Sequence, residues 1–185
     1  LIEISSNNFN RGVFENVEDI LKNTLIINVQ GDQPFLEPKV IKKMISFFYS
    51  FSKLPAIVTP IYKLQKESIH NSSVVKVLIN KNCEAVYFSR SALPHIRDKK
   101  RDEWHLYYDY WGHVGIYGFR ADTLSAWSTL SQSNLEKNEK LEQLRFIDSG
   151  IKISTFKVEG NFLSIDTSEQ LEEVRKNLNA KNLNF

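Results

Sequence analysis

The chain has 185 residues, of which 42% are hydrophobic and 25% charged, and its net charge is +2. It is long enough for one globular domain with a sizeable core, and the small net charge, with acids and bases interspersed, argues against nucleic-acid binding. A single cysteine, Cys83, excludes an internal disulfide and a multi-cysteine zinc site. The lone cysteine, the short apolar runs and the lack of a secretory signal predict a cytoplasmic protein without membrane insertion.

Apolar spacing predicts helices and strands in alternation along the chain. Helices are expected around residues 13–21, from Pro38 to residue 48, over about 138–149, and from Thr167 onward. Strands are expected at residues 25–29, 56–61, 74–79, 85–89, 113–119 and 151–158, with a long excursion over 93–111. This order predicts one domain over residues 1–185, a three-layer α/β sandwich with a mainly parallel, mixed sheet. Ligands of such sheets bind beyond the carboxyl ends of the strands.

The segment Gln-Gly-Asp-Gln-Pro at residues 30–34 follows the first buried strand. Gly31 permits a sharp turn and the close approach of a ligand, and Gln30 could hydrogen-bond a base or a sugar. Asp32 offers a hard oxygen ligand that could hold Mg²⁺ against a phosphate. Glycine, aspartate and proline are also ordinary turn residues, so composition alone leaves both interpretations open.

Asp166 is a second acid of interest, since it ends an apolar run and precedes a predicted helix. Taken alone, it is best explained as part of the helix cap. Paired with Asp32 it gains a second interpretation, because two carboxylates at two strand ends could share Mg²⁺ and position a triphosphate.

The segment His-Val-Gly-Ile-Tyr-Gly-Phe-Arg at residues 113–120 alternates with a period of two. The alternation places His113, Gly115, Tyr117 and Phe119 on one face of a strand. That face suits the floor of a polar cleft. The commoner explanation is a histidine that is hydrogen-bonded within the core, beside a core tyrosine.

Two further sets of polar residues are candidates for a binding site. Arg90 follows the strand at 85–89, where its planar fork of donors would suit a carboxylate or phosphate; a surface arginine is the alternative. Glu142, Gln143 and Arg145 fall on the helix predicted at 138–149, where Glu142 and Arg145 could equally form a surface ion pair.

Several enzyme classes are disfavoured because their motifs do not occur in the sequence. It contains no Gly-x-Ser-x-Gly, Gly-x-x-x-x-Gly-Lys, Gly-x-Gly-x-x-Gly or His-x-x-x-His motif. The sequence therefore disfavours serine hydrolases, P-loop enzymes, dinucleotide-binding enzymes and zinc proteases. A nucleotide-sugar glycosyltransferase is also disfavoured, since no Asp-x-Asp pair follows a predicted strand.

Five motifs, in order, resemble the successive signatures of the 3-deoxy-manno-octulosonate (Kdo) cytidylyltransferases, or CMP-Kdo synthetases. They are Asn-Val-Gln-Gly-Asp-Gln-Pro at 28–34, Tyr-Phe-Ser-Arg-Ser-Ala-Leu-Pro at 87–94, the segment 113–120 quoted above, Leu-Glu-Gln-Leu-Arg at 141–145 and Ile-Asp-Thr at 165–167. The resemblance covers nearly the whole chain and implies a fold like that of the nucleotide-diphospho-sugar transferases.

The resemblance also implies a reaction and a set of site residues. The anomeric hydroxyl of Kdo would attack the α-phosphate of CTP in the presence of Mg²⁺, giving CMP-Kdo and pyrophosphate, within a homodimer. The metal would be held by Asp32 and Asp166, and the nucleotide would lie near Gln30 and Gly31. The residues implied for the Kdo pocket are Arg90, His113, Tyr117, Glu142, Gln143 and Arg145.

Two stretches depart from the family pattern. The glycine-rich, basic loop that grips the triphosphate is not found in this sequence, so we expect the domain to be incomplete at its N-terminus. Val13 and Glu15 stand where the family has a hydroxyl residue and a basic residue. A catalytically silent homologue that binds a nucleotide or a partner protein is therefore the alternative.

Overall fold

The computed structural model describes residues 2–3, 17–31, 33, 36–160, 162 and 172. Within them the helices are α1 (Val17–Asn23), α2 (Pro38–Phe48), α3 (Lys66–Ile69), α4 (Ala121–Ala126), α5 (Asn134–Glu139) and α6 (Leu144–Asp148), with 3-10 turns at Arg101–Leu106 and Trp127–Thr129. The strands are β1 (Ile2–Glu3), β2 (Leu25–Val29), β3 (Ile57–Lys63), β4 (Lys76–Ile79), β5 (Ala85–Ser89), β6 (Trp111–His113), β7 (Ile116–Arg120) and β8 (Ile153–Lys157).

Most of the predicted elements are present, some with shifted ends. β2 and β5 coincide with their predictions, whereas the strand predicted at 113–119 is divided into β6 and β7. The single helix predicted over 138–149 is wrong, because Lys140 adopts a left-handed φ of 55° and separates α5 from α6. Of the helix predicted from Thr167, the structure describes Glu172, which is helical, and the remainder lies outside the described residues.

The prediction of a mainly parallel sheet is wrong. Among the strands that the structure describes, six of the seven pairings are antiparallel, and β3 with β8 is the parallel one. The cause is β7, which lies between β2 and β3 and runs against both. A strand that is buried on both faces reads as a continuous apolar run in either direction, so the sequence pattern could not reveal its orientation.

The strand order places the ends of β2 and β3 at one edge of the sheet. The order is β1-β2-β7-β3-β6-β4-β5, with β8 paired to β3 as well. Because β2 and β3 both run against β7, they point in the same direction although they are not neighbours. β6 and β7 are separated by a bulge at Val114 and Gly115, where the Ile116 N–H donates to the carbonyl of Val114 at 2.6 Å. The edge at which β2 ends is therefore also the edge at which β7 begins.

Helices pack on both faces of the sheet. On one face α2 buries Val40, Met44 and Phe48 against β2, β3 and β7. Gly118 allows this approach, because a Cβ there would lie 2.7 Å from Val58 and 3.0 Å from the Met44 sulfur. On the other face Leu144 of α6 is fully buried among residues of β3, β5, β7 and β8. Each large apolar side chain buried in this way stabilises the fold by about 1.5–3 kcal/mol.

The excursion predicted over residues 93–111 packs against the sheet edge through a third apolar cluster. Trp104 and Tyr110 are buried there with Leu64 and Ile69. The Tyr110 hydroxyl donates to the Pro94 carbonyl at 2.6 Å, and burial raises the pKa of Tyr110 to about 12. None of the helices in the described ranges is long and apolar enough to cross a membrane.

Candidate active site

A pocket of about 100 Å³ with several polar lining residues lies where β2 ends and β7 begins. Asn28 is opposite Tyr117 in the pairing of β2 with β7, and Gln30 directly follows β2. The turn before α6 brings Glu142 and Gln143 to the same pocket. Its apolar walls are Phe119, Leu124, Trp127 and Phe146. Four residues proposed from the sequence, Gln30, Tyr117, Glu142 and Gln143, are thus brought together.

The polar side chains of this pocket make no hydrogen bond to any residue that the structure describes. Gln143 is only 5% exposed, so its amide is also largely removed from bulk water. Burial, followed by the nearby Glu142 carboxylate, raises the pKa of Tyr117, which keeps its hydroxyl protonated as a donor. Buried polar groups in proteins are normally paired, and an unpaired one costs about 1–3 kcal/mol. The pocket is therefore suited to a ligand with many hydroxyl, carbonyl or amide groups.

The turn that carries Glu142 and Gln143 is fixed by a buried ion pair. The Glu136 carboxylate accepts hydrogen bonds from Arg145 Nε at 2.8 Å and Nη2 at 2.6 Å, which lowers the pKa of Glu136. The Arg145 guanidinium also lies over the Trp127 ring, 4.0 Å from its centroid. Arg145 therefore does not line the pocket, and its partner is Glu136 rather than Glu142. Its role is to stabilise the connection between α5 and α6.

His113 lies beside the pocket in a fixed, neutral form. Its ring is 5.2 Å from that of Tyr117, and its Nε2 is 2.9 Å from the hydroxyl oxygen of Thr59. The single hydroxyl proton of Thr59 is donated to the Ile116 carbonyl at 2.8 Å, so Nε2 of His113 must carry a proton and donate to Thr59. Burial lowers the pKa of His113 to about 3. Its Nδ1 is therefore an acceptor at neutral pH.

Arg90 is not among the residues that line the pocket. It lines a separate groove of about 620 Å³, whose other cationic and imidazole residues are His70, His95, Lys99 and Arg101. Its Nε donates to the Glu139 carbonyl at 2.9 Å and its Nη1 to the Ser72 carbonyl at 3.2 Å. The predicted sugar-binding residues are therefore divided between the pocket and the groove that Arg90 lines. The connection between α5 and α6 joins these two places.

Lys76 is a buried cation that the sequence interpretation missed. It is 0% exposed, and its ammonium donates to the carbonyls of Asn71 at 2.7 Å, Val74 at 2.6 Å and Arg90. Burial, followed by the positive charge of Arg90, lowers the pKa of Lys76 to about 8. The available signal was a lysine enclosed by valines in a predicted strand, a position where an unpaired charge is costly.

Other contributors to the site also escaped the sequence interpretation. Asn28 opens the motif at 28–34 but was given no role, Thr59 lies in an apolar strand, and Glu139 is one of several charged residues on α5. Only Asn28 was detectable, as a polar residue within the apolar run that forms β2.

Both carboxylates proposed for metal binding, Asp32 and Asp166, lie outside the described residues. Gly31 forms a turn directly after Gln30. Within residues 17–31, 33 and 36–160, no three histidine, cysteine, aspartate or glutamate side chains are grouped closely enough to hold a metal ion. The metal site therefore stays a prediction.

Comparison with known proteins identifies the class of the chain. A family model described as cytidylyltransferase matches residues 6–153. The chain belongs to the cytidylyltransferase family. A putative glucose-1-phosphate thymidylyltransferase from Bacillus anthracis shares the fold, with a TM-score of 0.51 and 15% identity over 91% of this chain and 59% of the other.

Several relatives named for one specificity also match the chain, which confirms the resemblance drawn from the five motifs. The chain is 38% identical to the 3-deoxy-manno-octulosonate cytidylyltransferase of Parabacteroides distasonis, over 80% of this chain and 61% of the relative. It is 43% identical to that of Rickettsia prowazekii, over 82% and 56%. A solved CMP:2-keto-3-deoxy-manno-octonic acid synthetase complexed with CTP matches with a TM-score of 0.75 and 36% identity, over 86% and 63%. The chain thus spans about three fifths of these proteins' length.

Proposed function

We propose that the complete protein transfers CMP from CTP to the anomeric hydroxyl of Kdo, or of a closely related acidic keto sugar, and releases pyrophosphate. The observation that carries this proposal is the pocket between β2, β7 and α6, whose polar side chains make no hydrogen bonds to the described part of the chain. Relatives and a solved structure named for this reaction support the choice of substrates. The product would serve the synthesis of lipopolysaccharide or another cell-surface glycan.

The pocket residues would bind and orient the sugar. Gln30, Glu142 and Gln143 offer donors and acceptors for its hydroxyl groups, and the Tyr117 hydroxyl adds a donor. His113, neutral and held by Thr59, would accept a hydrogen bond at Nδ1. With a pKa of about 3 it is too weakly basic to remove a proton from the sugar hydroxyl at neutral pH. Its role would be orientation.

The reaction itself asks the protein mainly for alignment and charge neutralisation. The anomeric oxygen of the sugar forms a bond to the α-phosphorus of CTP and loses its proton, while the bond to the bridging oxygen breaks and pyrophosphate leaves. The nucleotide would lie near Gln30 and Gly31, at the end of β2. Asp32, which follows them in the chain, and Asp166 would hold Mg²⁺ against the phosphates, since Mg²⁺ prefers carboxylate oxygens.

The reaction is tested with the complete gene product, CTP, Kdo and Mg²⁺, by measuring pyrophosphate release. We expect release that depends on all three components. Absence of release above background refutes the proposed activity. Tight binding of CTP by calorimetry without turnover would instead favour the alternative of a silent nucleotide-binding homologue.

The metal role is tested by Asp32→Ala. We expect this variant to lose activity while its circular dichroism and melting temperature stay close to those of the wild type. An Asp32→Ala enzyme that is fully active with Mg²⁺ would remove Asp32 from the metal site.

We also propose that the protein is a cytoplasmic homodimer. The 3-10 turn at Arg101–Leu106 and the residue after it present two exposed apolar side chains, Leu106 at 68% and Tyr107 at 52% exposure. Aromatic and apolar side chains of this kind are enriched at interfaces. Light scattering coupled to size exclusion should give twice the chain mass for the wild type and a lower mass for Leu106→Asp. A monomeric wild type contradicts the dimer.

A further inference from the structure

The residue that follows β5, Arg90, is held in place by two charged side chains on different elements. The Glu139 carboxylate, at the end of α5, accepts from the Ser89 hydroxyl at 2.6 Å and from the Arg90 backbone N–H at 3.0 Å. The Glu139 carbonyl accepts from Arg90 Nε at 2.9 Å. The buried Lys76 ammonium donates to the Arg90 carbonyl. Both backbone polar groups of Arg90, and one nitrogen of its side chain, are thus bonded to these two residues.

The charges of this cluster favour an anion. Lys76 and Arg90 are cationic and Glu139 is the carboxylate between them, which leaves an excess of one positive charge. Arg90 uses Nε and Nη1 for protein contacts, and its Nη2 has no partner among the described residues. The groove that Arg90 lines has no aspartate or glutamate among its lining residues in the described ranges. A carboxylate that met Arg90 there would neutralise the excess charge.

Glu139 also connects this cluster to the pocket. It is the last residue of α5, and the left-handed Lys140 then turns the chain toward Glu142 and Gln143. The carboxylate that holds Ser89 and Arg90 is therefore three residues from a side chain that lines the pocket. A change at Glu139 would alter the position of Arg90 relative to Glu142 and Gln143.

We propose that Glu139 and Lys76 are positioning residues for an acidic ligand: together they fix Arg90 to receive its carboxylate, while Glu139 sets the spacing to the pocket that receives its hydroxyl groups. This inference rests on the proposed function, in which the ligand is Kdo. Neither residue need contact the ligand. The cluster would make a sugar with a carboxylate at one end bind better than a neutral sugar of the same shape.

Graded variants separate positioning from folding. Glu139→Gln keeps the size of the side chain and one acceptor oxygen but removes the charge. Glu139→Ala removes the two carboxylate contacts, to the Ser89 hydroxyl and to the Arg90 backbone N–H, and keeps the backbone carbonyl that accepts from Arg90 Nε. Lys76→Met leaves three carbonyls without their donor, so Glu139→Gln carries the test if Lys76→Met does not fold. The matched control is Glu67→Gln on α3. This variant removes an equal charge at an exposed carboxylate, which lies 3.9 Å from the Lys66 ammonium.

Two measurements on the complete protein decide the inference. Calorimetry with Kdo, with its C1 amide and with CTP gives ligand affinities. ¹⁵N NMR of protein labelled at arginine follows the backbone N–H of Arg90, with its signal assigned by Arg90→Lys, and reports whether Arg90 stays fixed. We expect Glu139→Gln to weaken Kdo binding roughly tenfold and Glu139→Ala more. CTP binding should change less than about twofold, and the Arg90 backbone N–H should exchange with solvent faster. Binding of the C1 amide should not weaken further in either variant.

The outcomes are distinguishable. If wild-type protein does not bind Kdo, the proposed function fails and the ligand part of the inference fails with it. If the wild type binds Kdo and both Glu139 variants bind it equally well, the function stands and the positioning role is wrong. An unchanged Arg90 backbone N–H signal in Glu139→Ala overturns the positioning role independently of any ligand.

Discussion

The hydroxyl oxygen of Thr59 lies 2.9 Å from Nε2 of His113 and 2.8 Å from the Ile116 carbonyl, so one buried threonine fixes both the ring and its tautomer. Thr59→Val keeps the shape but removes both bonds. We expect a loss of about 1–3 kcal/mol in the free energy of unfolding, because the Nε2–H and the carbonyl lose their partner. Urea denaturation measures it. Thr59→Ser keeps the hydroxyl and should recover most of the loss; equal stability of the valine and serine variants contradicts the hydrogen-bond account.

His113 should remain uncharged across the physiological range. Since burial lowers its pKa to about 3, its ¹⁵N chemical shifts should show the Nε2–H tautomer without titration between pH 5 and 8. Its folded pKa lies below the unfolded value of 6.5, so the unfolded state binds the extra proton first. This contribution to stability is present above pH 6.5 and is lost as the pH falls toward 3. His113→Gln should flatten that part of the stability profile; an imidazole that titrates near pH 6.5 in the folded wild type refutes it.

The buried Lys76 should make the stability of the protein depend on pH in the alkaline range. Its folded pKa is about 8 against an ordinary value of 10.5, with burial as the main cause, followed by Arg90 and opposed by Glu139. The folded protein therefore loses this proton before the unfolded chain does, and this group makes the protein more stable as the pH rises from 8 to 10. Denaturation at several pH values should show that slope in the wild type and its absence in Lys76→Met. A wild-type profile no steeper than that of the variant contradicts the shift.

The Glu136–Arg145 pair should matter for stability more than an ordinary surface ion pair. The Glu136 side chain is 5% exposed and that of Arg145 17%, and the contact is bidentate. Removing one partner of a buried pair costs about 3–5 kcal/mol, so we expect Glu136→Ala to lower the melting temperature strongly. The comparison variant is Glu18→Ala, whose solvent-exposed pair with Lys22 should contribute little to stability. Equal losses in calorimetric melting would show that burial of the pair is unimportant.

Tyr117→Phe should separate binding from folding. The Tyr117 hydroxyl lines the pocket and has no hydrogen-bond partner in the described part of the chain, so its removal costs the fold nothing and relieves a desolvated polar group. We expect an unchanged or slightly higher melting temperature together with roughly tenfold weaker Kdo binding by calorimetry. A marked drop in melting temperature would show that the hydroxyl serves the fold.

The sequence predicted what depends on local pattern and missed what depends on distant contacts. Strand β2, helix α2 and the residues Gln30, Tyr117, Glu142 and Gln143 were predicted because each stands in a motif or an apolar period. The orientation of β7 depends on which strands flank it, information that an apolar run does not contain. The partner of Arg145 is nine residues away at Glu136, beyond the reach of a helical i,i+3 or i,i+4 rule, because Lys140 breaks the helix.

The number of extra residues in the bulge between β6 and β7 is even. Along β3 the pairing passes from Val58 with Gly118 to Ile61 with His113, so two residues of β3 lie opposite four residues of the bulged segment, an excess of two. Side chains alternate between faces with a period of two, and an even excess leaves His113 and Tyr117 facing the same side. Deleting one residue from the bulge would shift the alternation of side chains in β6 by one relative to β7, whereas deleting two would preserve it. Length changes at this point are therefore tolerable to the site only in pairs.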